Sequence, residues 1–139
     1  TLNELGYENI AHKVSFWQGD ACNLKSNFNS YDLIMATNLI DRLYNPKLFL
    51  ETIHKRLNSD GILMITSPYS WQESSTQKEM WLGGFVDKNG NEIETLNTLK
   101  KILNENFELI HLKDIEFVIK ESARKYQHTI AQCSIWKKR

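Results

Sequence analysis

Three short runs of apolar residues in the first half of the chain predict buried β-strands. Residues 14–18 are apolar and aromatic and close on Gly19 and Asp20, while residues 31–37 and 62–65 are almost continuously apolar. Strands that are apolar on both faces are typical of parallel sheets, in which helices cover both sides. The pattern therefore predicts an α/β fold.

The segment between the second and third runs has the spacing of an amphipathic helix. Asn45 is a suitable N-cap, and Pro46 fits the first turn because proline needs no backbone hydrogen bond there. Apolar residues then recur at helical intervals until Asn58-Ser59-Asp60-Gly61 ends the helix, namely Phe49, Leu50, Ile53 and Leu57. A strand, a helix and a strand in this order form the right-handed crossover unit of doubly wound sheets.

The second half of the chain is predicted to contain a loop, one helix and two strands. Residues 67–94 are irregular and rich in aromatic side chains, which we interpret as a substrate loop or lid. A helix is predicted at 95–104, with Thr95 as its cap. Apolar runs at 107–112 and 128–136 predict an antiparallel strand pair at the edge of the sheet.

Composition and charge narrow the class of protein. The 139 residues, which we interpret as one domain or part of one, carry 17 basic and 17 acidic side chains, so no nucleic-acid partner is expected. No apolar run approaches the ~20 residues of a membrane span and no secretory leader is apparent, which favours a cytoplasmic protein without a membrane partner. Neither Cys22 and Cys133 nor the four histidines have metal-site spacing, so no metal is expected.

Candidate cofactor-binding residues lie where the first two predicted strands end, because ligands of open α/β sheets bind beyond the carboxyl ends of strands. Asp20 can accept from an exocyclic amine and the backbone amide of Ala21 can donate to a ring nitrogen, a combination that would recognise adenine. The alternative role of Asp20 is to cap a turn. Asn38 can bind a cofactor or substrate, and Asp41 or Arg42 can face the pocket, although each can equally cap a turn or be solvated.

Candidate substrate residues follow the third strand and lie in the last connection. Tyr69 and Trp71 suit stacking on a flat heteroaromatic or cationic substrate, with covering of the sheet as the alternative. The polar segment 121–128 is predicted to be too long for a plain hairpin. Its Arg124 can pair with a carboxylate and its His128 can act as a base, unless the segment is simply a solvated loop.

Taken in order, these signatures resemble the second half of the class I S-adenosylmethionine-dependent methyltransferases. The residues that carry this resemblance are Gly19-Asp20-Ala21, Tyr31-Asp32-Leu33, Asn38 and Asp60-Gly61-Ile62-Leu63. More narrowly, five stretches resemble the C-terminal methyltransferase domain of the bifunctional ovothiol-biosynthesis enzymes, the 4-mercaptohistidine N1-methyltransferases: residues 18–24, 38–43, 66–69, 81–85 and 123–129.

The resemblance implies a Rossmann-like sheet and a methyl transfer from S-adenosylmethionine to an imidazole nitrogen of a thiol-bearing histidine. The residues implied at the cofactor are Asp20, Ala21, Asn38 and Leu39, and those implied at the substrate are Tyr69, Trp71, Trp81 and Arg124. Side-chain chemistry makes His128 or Asp41 the acceptor of the proton that leaves the imidazole.

The chain departs from the family pattern at its start. It lacks a first strand with a glycine-rich turn and an acidic residue at the end of a second strand, so we expect an incomplete sheet and an inactive fragment. The strand at 14–18 would then lack its usual neighbours, and unpaired strand edges can form a homodimer. Two alternatives stay open: a methyltransferase for another small molecule, and a non-catalytic, self-associating binding module.

Overall fold

The computed structural model describes residues 4–139, which fold around a mixed four-stranded sheet with two α-helices. In chain order the elements are β1 (Tyr31–Thr37), α1 (Pro46–Thr52), β2 (Leu57–Ser67), β3 (Phe85–Val86), β4 (Glu92–Ile93), α2 (Thr95–Leu103), β5 (Phe107–Lys120) and β6 (Tyr126–Lys138). The large sheet has the order β1-β2-β6-β5, and β3 and β4 form a separate antiparallel ribbon.

The predicted crossover unit is confirmed. β1 and β2 pair in parallel, with Ala36 opposite Ile65, and α1 connects them. The side chain of Asn45 caps α1 by accepting a hydrogen bond from the backbone N–H of Leu48 at 3.0 Å. The helical segment ends earlier than the apolar spacing predicted, because a 3₁₀ turn at Ile53–Arg56 leads directly into β2.

The antiparallel strand pair is also confirmed, but it is longer than predicted. β6 lies between β2 and β5, and its pairing with β5 runs from Lys138 back to Tyr126. The prediction that residues 121–128 are too long for a hairpin is therefore wrong, since only residues 121–125 connect the strands. Because β2 pairs with β6 only from Gln132 to Lys137, the rest of the hairpin projects beyond the sheet as a two-stranded arm.

The core lies between the sheet and the two helices. The side chains of Leu63, Ile65 and Trp136 are at most 2% exposed and belong to one apolar cluster with residues of α1 and α2, among them Phe49, Leu50, Leu99 and Leu103. The opposite face of β1 is open, with Leu33 52% and Met35 59% exposed. The described helices therefore cover one face of the sheet at β1.

The predicted strand at residues 14–18 is not a strand. These residues are irregular, and the side chains of Phe16 and Trp17 are 92% and 73% exposed. A strand needs a neighbour for its backbone N–H and C=O groups. No described strand pairs with this segment, so its apolar pattern does not produce a strand.

The aromatic-rich stretch at 67–94 has more regular structure than predicted. It contains a 3₁₀ turn at Lys78–Met80 and the β3–β4 ribbon, and it leads into α2. The N-cap of α2 is Glu94 rather than Thr95, because Glu94 is extended while Thr95 already lies in the helix. None of the described helices is long and apolar enough to cross a membrane.

Candidate active site

The carboxyl ends of β1 and β2 are tied together directly after the strands end. The backbone N–H of Asn38 donates to the carbonyl of Thr66 at 2.7 Å, and the Thr66 hydroxyl donates to Oδ1 of Asn38 at 3.2 Å. Asn38 and Tyr69 have φ angles of 49° and 53°. Left-handed backbone at side-chain-bearing residues is costly and is concentrated at functional sites. Both residues lie where ligands of this class of fold bind.

Asp41 joins the loop after β1 to the loop after β2. Its Oδ2 accepts from the backbone N–H of Ser70 at 3.0 Å, from the Ser70 hydroxyl at 3.1 Å and from Nη1 of Arg42 at 3.1 Å. Arg42 donates in turn to the carbonyl of Ser70 at 2.6 Å. Asp41 is 1% exposed, and its Oδ1 has no hydrogen-bond partner among the described residues. The carboxylate therefore holds the two loops together through Oδ2, while Oδ1 accepts no hydrogen bond from the described residues.

An apolar groove of about 430 Å³ lies beside β1 and includes two of the predicted cofactor residues, Ala21 and Leu39. We call it the β1 groove; its other walls include Trp17, Phe28, Phe49 and the strand itself. Flat apolar surfaces of this kind suit a heteroaromatic ring.

Asp20 stands next to the β1 groove and is held in place by two contacts. Its Oδ1 accepts from the backbone N–H of Cys22 at 2.8 Å, and its Oδ2 accepts from the hydroxyl of Tyr44 at 3.0 Å. Because an ionised carboxylate has about four acceptor positions, these bonds leave room for another donor. The turn-capping role and the amine-binding role predicted for Asp20 are therefore compatible.

A second cavity, of about 570 Å³, lies between Tyr69, the β3–β4 ribbon and the start of α2. We call it the ribbon cavity. Its lining includes Tyr69, Phe85, Glu92, Glu94, Leu96 and Gln132. Because Tyr69 follows the carboxyl end of β2 by two residues, the ribbon cavity borders that end, whereas the β1 groove runs along β1 and reaches its carboxyl end at Leu39.

Tyr69 is fixed in the wall of the ribbon cavity. Its hydroxyl donates to Oε1 of Gln132 at 2.9 Å, and its backbone N–H donates to the Ser67 hydroxyl at 3.0 Å. Burial raises the pKa of Tyr69 far above its usual value, and the nearby carboxylates of Asp114 and Asp41 raise it further. Tyr69 therefore acts as a neutral hydrogen-bonding group and aromatic surface rather than as a base.

The other predicted substrate residues do not line the ribbon cavity. Trp71 and Trp81 stack on each other with ring centroids 6.5 Å apart, and Trp71 is 9% exposed. Trp71 donates to the Thr95 hydroxyl at 3.3 Å, and Trp81 donates to the carbonyl of Thr76 at 2.9 Å. This stack forms the wall behind the cavity, since a Cβ on the lining residue Gly84 would lie 3.5 Å from Trp71.

Arg124 and His128 lie on the hairpin arm. Arg124 is in the exposed turn between β5 and β6, and His128 pairs with Glu116 on the neighbouring strand at 3.4 Å. His128 lies four strand positions before Gln132, a distance of about 13 Å. The structure therefore brings Tyr69 and Gln132 together at the cavity and leaves Arg124 and His128 outside its walls.

Several lining residues escaped the sequence analysis. Gln132 lies inside a predicted strand, and Glu92 and Glu94 lie where strand β4 runs into α2. Strand positions give no sign of a ligand without the pairing register, and only the aromatic richness of 67–94 pointed to Phe85. Among the described residues, no group of three or more histidine, cysteine, aspartate or glutamate side chains is placed to share a metal ion.

Comparison with known proteins agrees with this arrangement. A family described as a methyltransferase domain matches residues 3–132. A search of curated protein sequences found no significant match.

Solved structures with low sequence identity share the fold. The N-methyltransferase NodS from Bradyrhizobium japonicum WM9, in complex with S-adenosyl-L-homocysteine, is 14% identical with a TM-score of 0.51 over 86% of this chain and 52% of its own. A SAM-dependent methyltransferase from Methanosarcina mazei is 16% identical with a TM-score of 0.56 over 86% of this chain and 65% of its own.

A third structure, from work on the conversion of a disulfide bond into a thioacetal group in echinomycin biosynthesis, is 10% identical with a TM-score of 0.59. It is matched over 86% of this chain and 54% of its own. The chain thus spans between about half and two thirds of these three proteins. The solved structures show that the chain shares the class I fold, and the family match over residues 3–132 leads to one conclusion: the chain belongs to the S-adenosylmethionine-dependent methyltransferase family.

Proposed function

We propose that the protein containing this chain transfers a methyl group from S-adenosylmethionine to an imidazole nitrogen of a small, thiol-bearing histidine, as in ovothiol biosynthesis. The observation that supports this most is the presence of two separate sites, an apolar β1 groove that reaches the carboxyl end of β1 at Leu39 and a ribbon cavity that begins at Tyr69, just after the carboxyl end of β2. A methyltransferase needs two such neighbouring sites, one for the donor and one for the acceptor.

The β1 groove fits the adenine end of the cofactor. Ala21 and Leu39 line it, and the Asp20 carboxylate beside it has acceptor capacity left for an exocyclic amine. Asn38 stands at the end of β1, where its backbone is fixed by Thr66. When bound, S-adenosylmethionine supplies an electrophilic methyl carbon on a sulfonium ion and is converted to S-adenosylhomocysteine.

The residues of the ribbon cavity would orient the acceptor. Tyr69 offers an aromatic face and a fixed hydroxyl, and the stack of buried Trp71 on partly buried Trp81 supports the wall. Orientation of the attacking nitrogen toward the methyl carbon supplies most of the acceleration in a transfer of this kind. Little acid–base chemistry is needed, because a neutral imidazole nitrogen is already a nucleophile.

One proton must leave the methylated ring, and we propose Asp41 or His128 as its acceptor. Asp41 has an oxygen without a partner among the described residues, next to the loop that carries Tyr69. His128 would need the arm to bend toward the cavity. If Asp41→Asn and His128→Ala in the complete protein both left turnover unchanged, this assignment would be wrong.

The proposal is tested by incubating the complete protein with S-adenosylmethionine and 4-mercaptohistidine, followed by mass spectrometry of the product. We expect a product heavier by one methyl group, with the methyl on a ring nitrogen in its NMR spectrum. Histidine and a thiol without an imidazole ring serve as matched acceptors. Methylation of those compounds alone would favour a methyltransferase for another small molecule.

Self-association is proposed as a secondary property. The outer edge of β1 has no strand partner among the described residues, and the 14–18 segment beside it is exposed. Unpaired strand edges bind other strands. Sedimentation of the 139-residue chain is expected to show a dimer, whereas a monomer at all concentrations would contradict this proposal.

A further inference from the structure

The charged side chains that line the ribbon cavity are negative. Of the described residues that line it, the charged ones are Glu92 and Glu94, which are both acidic. Both residues are exposed, so their carboxylates are accessible to a solute. Around them the lining consists of apolar and aromatic groups and neutral polar groups such as Thr95 and Gln132.

The surroundings of the cavity extend this negative charge. Asp114 and Asp41 lie close enough to Tyr69 to raise the pKa of its hydroxyl, after burial. Arg42 pairs with Asp41 at 3.1 Å and offsets its charge, so Asp114 is the carboxylate without that compensation. The positive end of α2 acts in the opposite sense, since helix N-termini favour anions. Glu94 is the N-cap of that helix and bonds Nδ2 of Asn97 at 3.0 Å, so its carboxylate already offsets the helix dipole.

Aromatic rings complete a surface suited to a cation. Tyr69 and Phe85 both line the cavity, and Phe85 is 36% exposed. The faces of aromatic rings attract ammonium groups, and nearby carboxylates strengthen the attraction. An anionic acceptor would meet repulsion from Glu92 and would lack a basic partner among the described lining residues.

We infer that the ribbon cavity selects a methyl acceptor that carries a positively charged amine, held by Glu92 and Glu94 over the faces of Tyr69 and Phe85. This inference rests on the proposed function, in which the cavity holds the acceptor. It adds the charge of the substrate, which neither the family nor the fold fixes.

The test is calorimetric titration of the 139-residue chain with three probes that share one ring and differ in charge: histamine, 4-methylimidazole and imidazole-4-acetate. Near neutral pH the amine of histamine is positive and the carboxylate of imidazole-4-acetate is negative. We expect histamine to bind most tightly and imidazole-4-acetate most weakly. The difference should shrink as salt is added, because salt screens exposed charges.

Charge-removing variants identify the groups responsible. Glu92→Gln and Glu94→Gln are each expected to weaken histamine binding about two- to five-fold, the range for accessible ion pairs. Both should leave 4-methylimidazole unchanged. Glu73→Gln is the matched control, since Glu73 is exposed on the same 67–94 stretch without lining the cavity.

The inference is overturned if imidazole-4-acetate binds as tightly as histamine, if neither variant changes the preference, or if none of the probes binds. The first two outcomes concern only the charge of the acceptor and leave the proposed function untouched, whereas absence of binding also counts against the ribbon cavity as the acceptor site. Conversely, a complete protein that prefers histamine but methylates no imidazole would overturn the proposed function alone.

Discussion

At the scale of single residues, Asp41 determines how the two loops at the site are held. It is buried, and one of its oxygens accepts three hydrogen bonds, two of them from Ser70. Loops are usually the least constrained parts of an α/β domain. Here the loop that carries Tyr69 is fixed by a side chain from the neighbouring loop, so the aromatic wall of the ribbon cavity is formed before a ligand binds.

Replacing Asp41 with alanine is expected to lower the free energy of unfolding by about 1–3 kcal/mol, because the groups of Ser70 and Arg42 lose their acceptor. Urea unfolding followed by circular dichroism measures the change. Glu51→Ala is the matched control, since Glu51 is exposed and only pairs with Lys47 at 3.6 Å. A loss of at most about 0.5 kcal/mol is expected for it. Equal losses of unfolding free energy in the two variants would show that Asp41 does not hold the two loops together.

At the scale of elements, the ribbon is seated on the N-terminus of α2 through a glycine. A Cβ at Gly83 would lie 2.3 Å from the backbone nitrogen of Thr95 and 2.7 Å from its Cα. Two backbone segments therefore approach each other more closely than any side chain allows. This contact sets the width of the ribbon cavity, because Gly84 and Phe85 follow immediately.

Gly83→Ala is expected to cost about 1–3 kcal/mol of stability, as overpacking does in close-packed sites. It should also weaken histamine binding, since the ribbon must shift away from α2. Gly19→Ala serves as the control, because a Cβ there meets no atom within 4 Å. An unchanged urea midpoint for Gly83→Ala would show that the ribbon does not pack closely against the N-terminus of α2.

The short 3₁₀ turn before β2 gives the fold a dependence on pH. Burial lowers the pKa of His54 below its usual value, and Lys55 lowers it further. Below about pH 6.5 the unfolded chain binds a proton that folded His54 resists, so stability falls as the pH is lowered through the pKa of the folded state. Above that range the contribution of His54 is constant.

The expected result is a decrease in the urea midpoint between pH 7.5 and pH 5.5 that becomes smaller in His54→Gln. His111→Gln should keep the full decrease, since His111 is exposed. If His54→Gln and the unaltered chain respond equally to pH, the destabilisation comes from other groups.

At the scale of the whole molecule, the sequence predicted the strands and helices that depend on local residue patterns. The central parts of β1 and β2, residues 33–36 and 62–65, are continuous apolar runs, and Asn45-Pro46 marks the start of α1, so the crossover unit could be predicted directly. The failures involve pairing and contact between distant segments. Residues 14–18 have a strand-like pattern but no strand pairs with them in the described chain, and β5 extends well beyond the predicted 107–112 because its pairing with β6 continues past the sheet.

In the candidate site too, the sequence predicted the residues at strand ends but not those that tertiary packing brings together. Tyr69 was found because it follows a strand end. Trp71 and Trp81 were assigned to the substrate, yet they stack on each other, a contact that no local pattern shows. Gln132 and Glu92 enter the site only through the register of β6 and the position of the ribbon. Strand ends identify the edge where a ligand binds, whereas the walls of the site depend on tertiary packing.

If the β1 groove holds the adenine end of S-adenosylmethionine, calorimetric titration of the complete protein with S-adenosylhomocysteine will detect binding there. We expect Leu39→Asp to weaken this binding at least about ten-fold, because the variant puts a charge into a groove that is mostly apolar and has Arg56 as its charged lining residue. Glu73→Gln, away from the groove, should bind as the unaltered protein does. Absence of binding, or equal affinity in Leu39→Asp, would show that the β1 groove does not hold the adenine end of the cofactor.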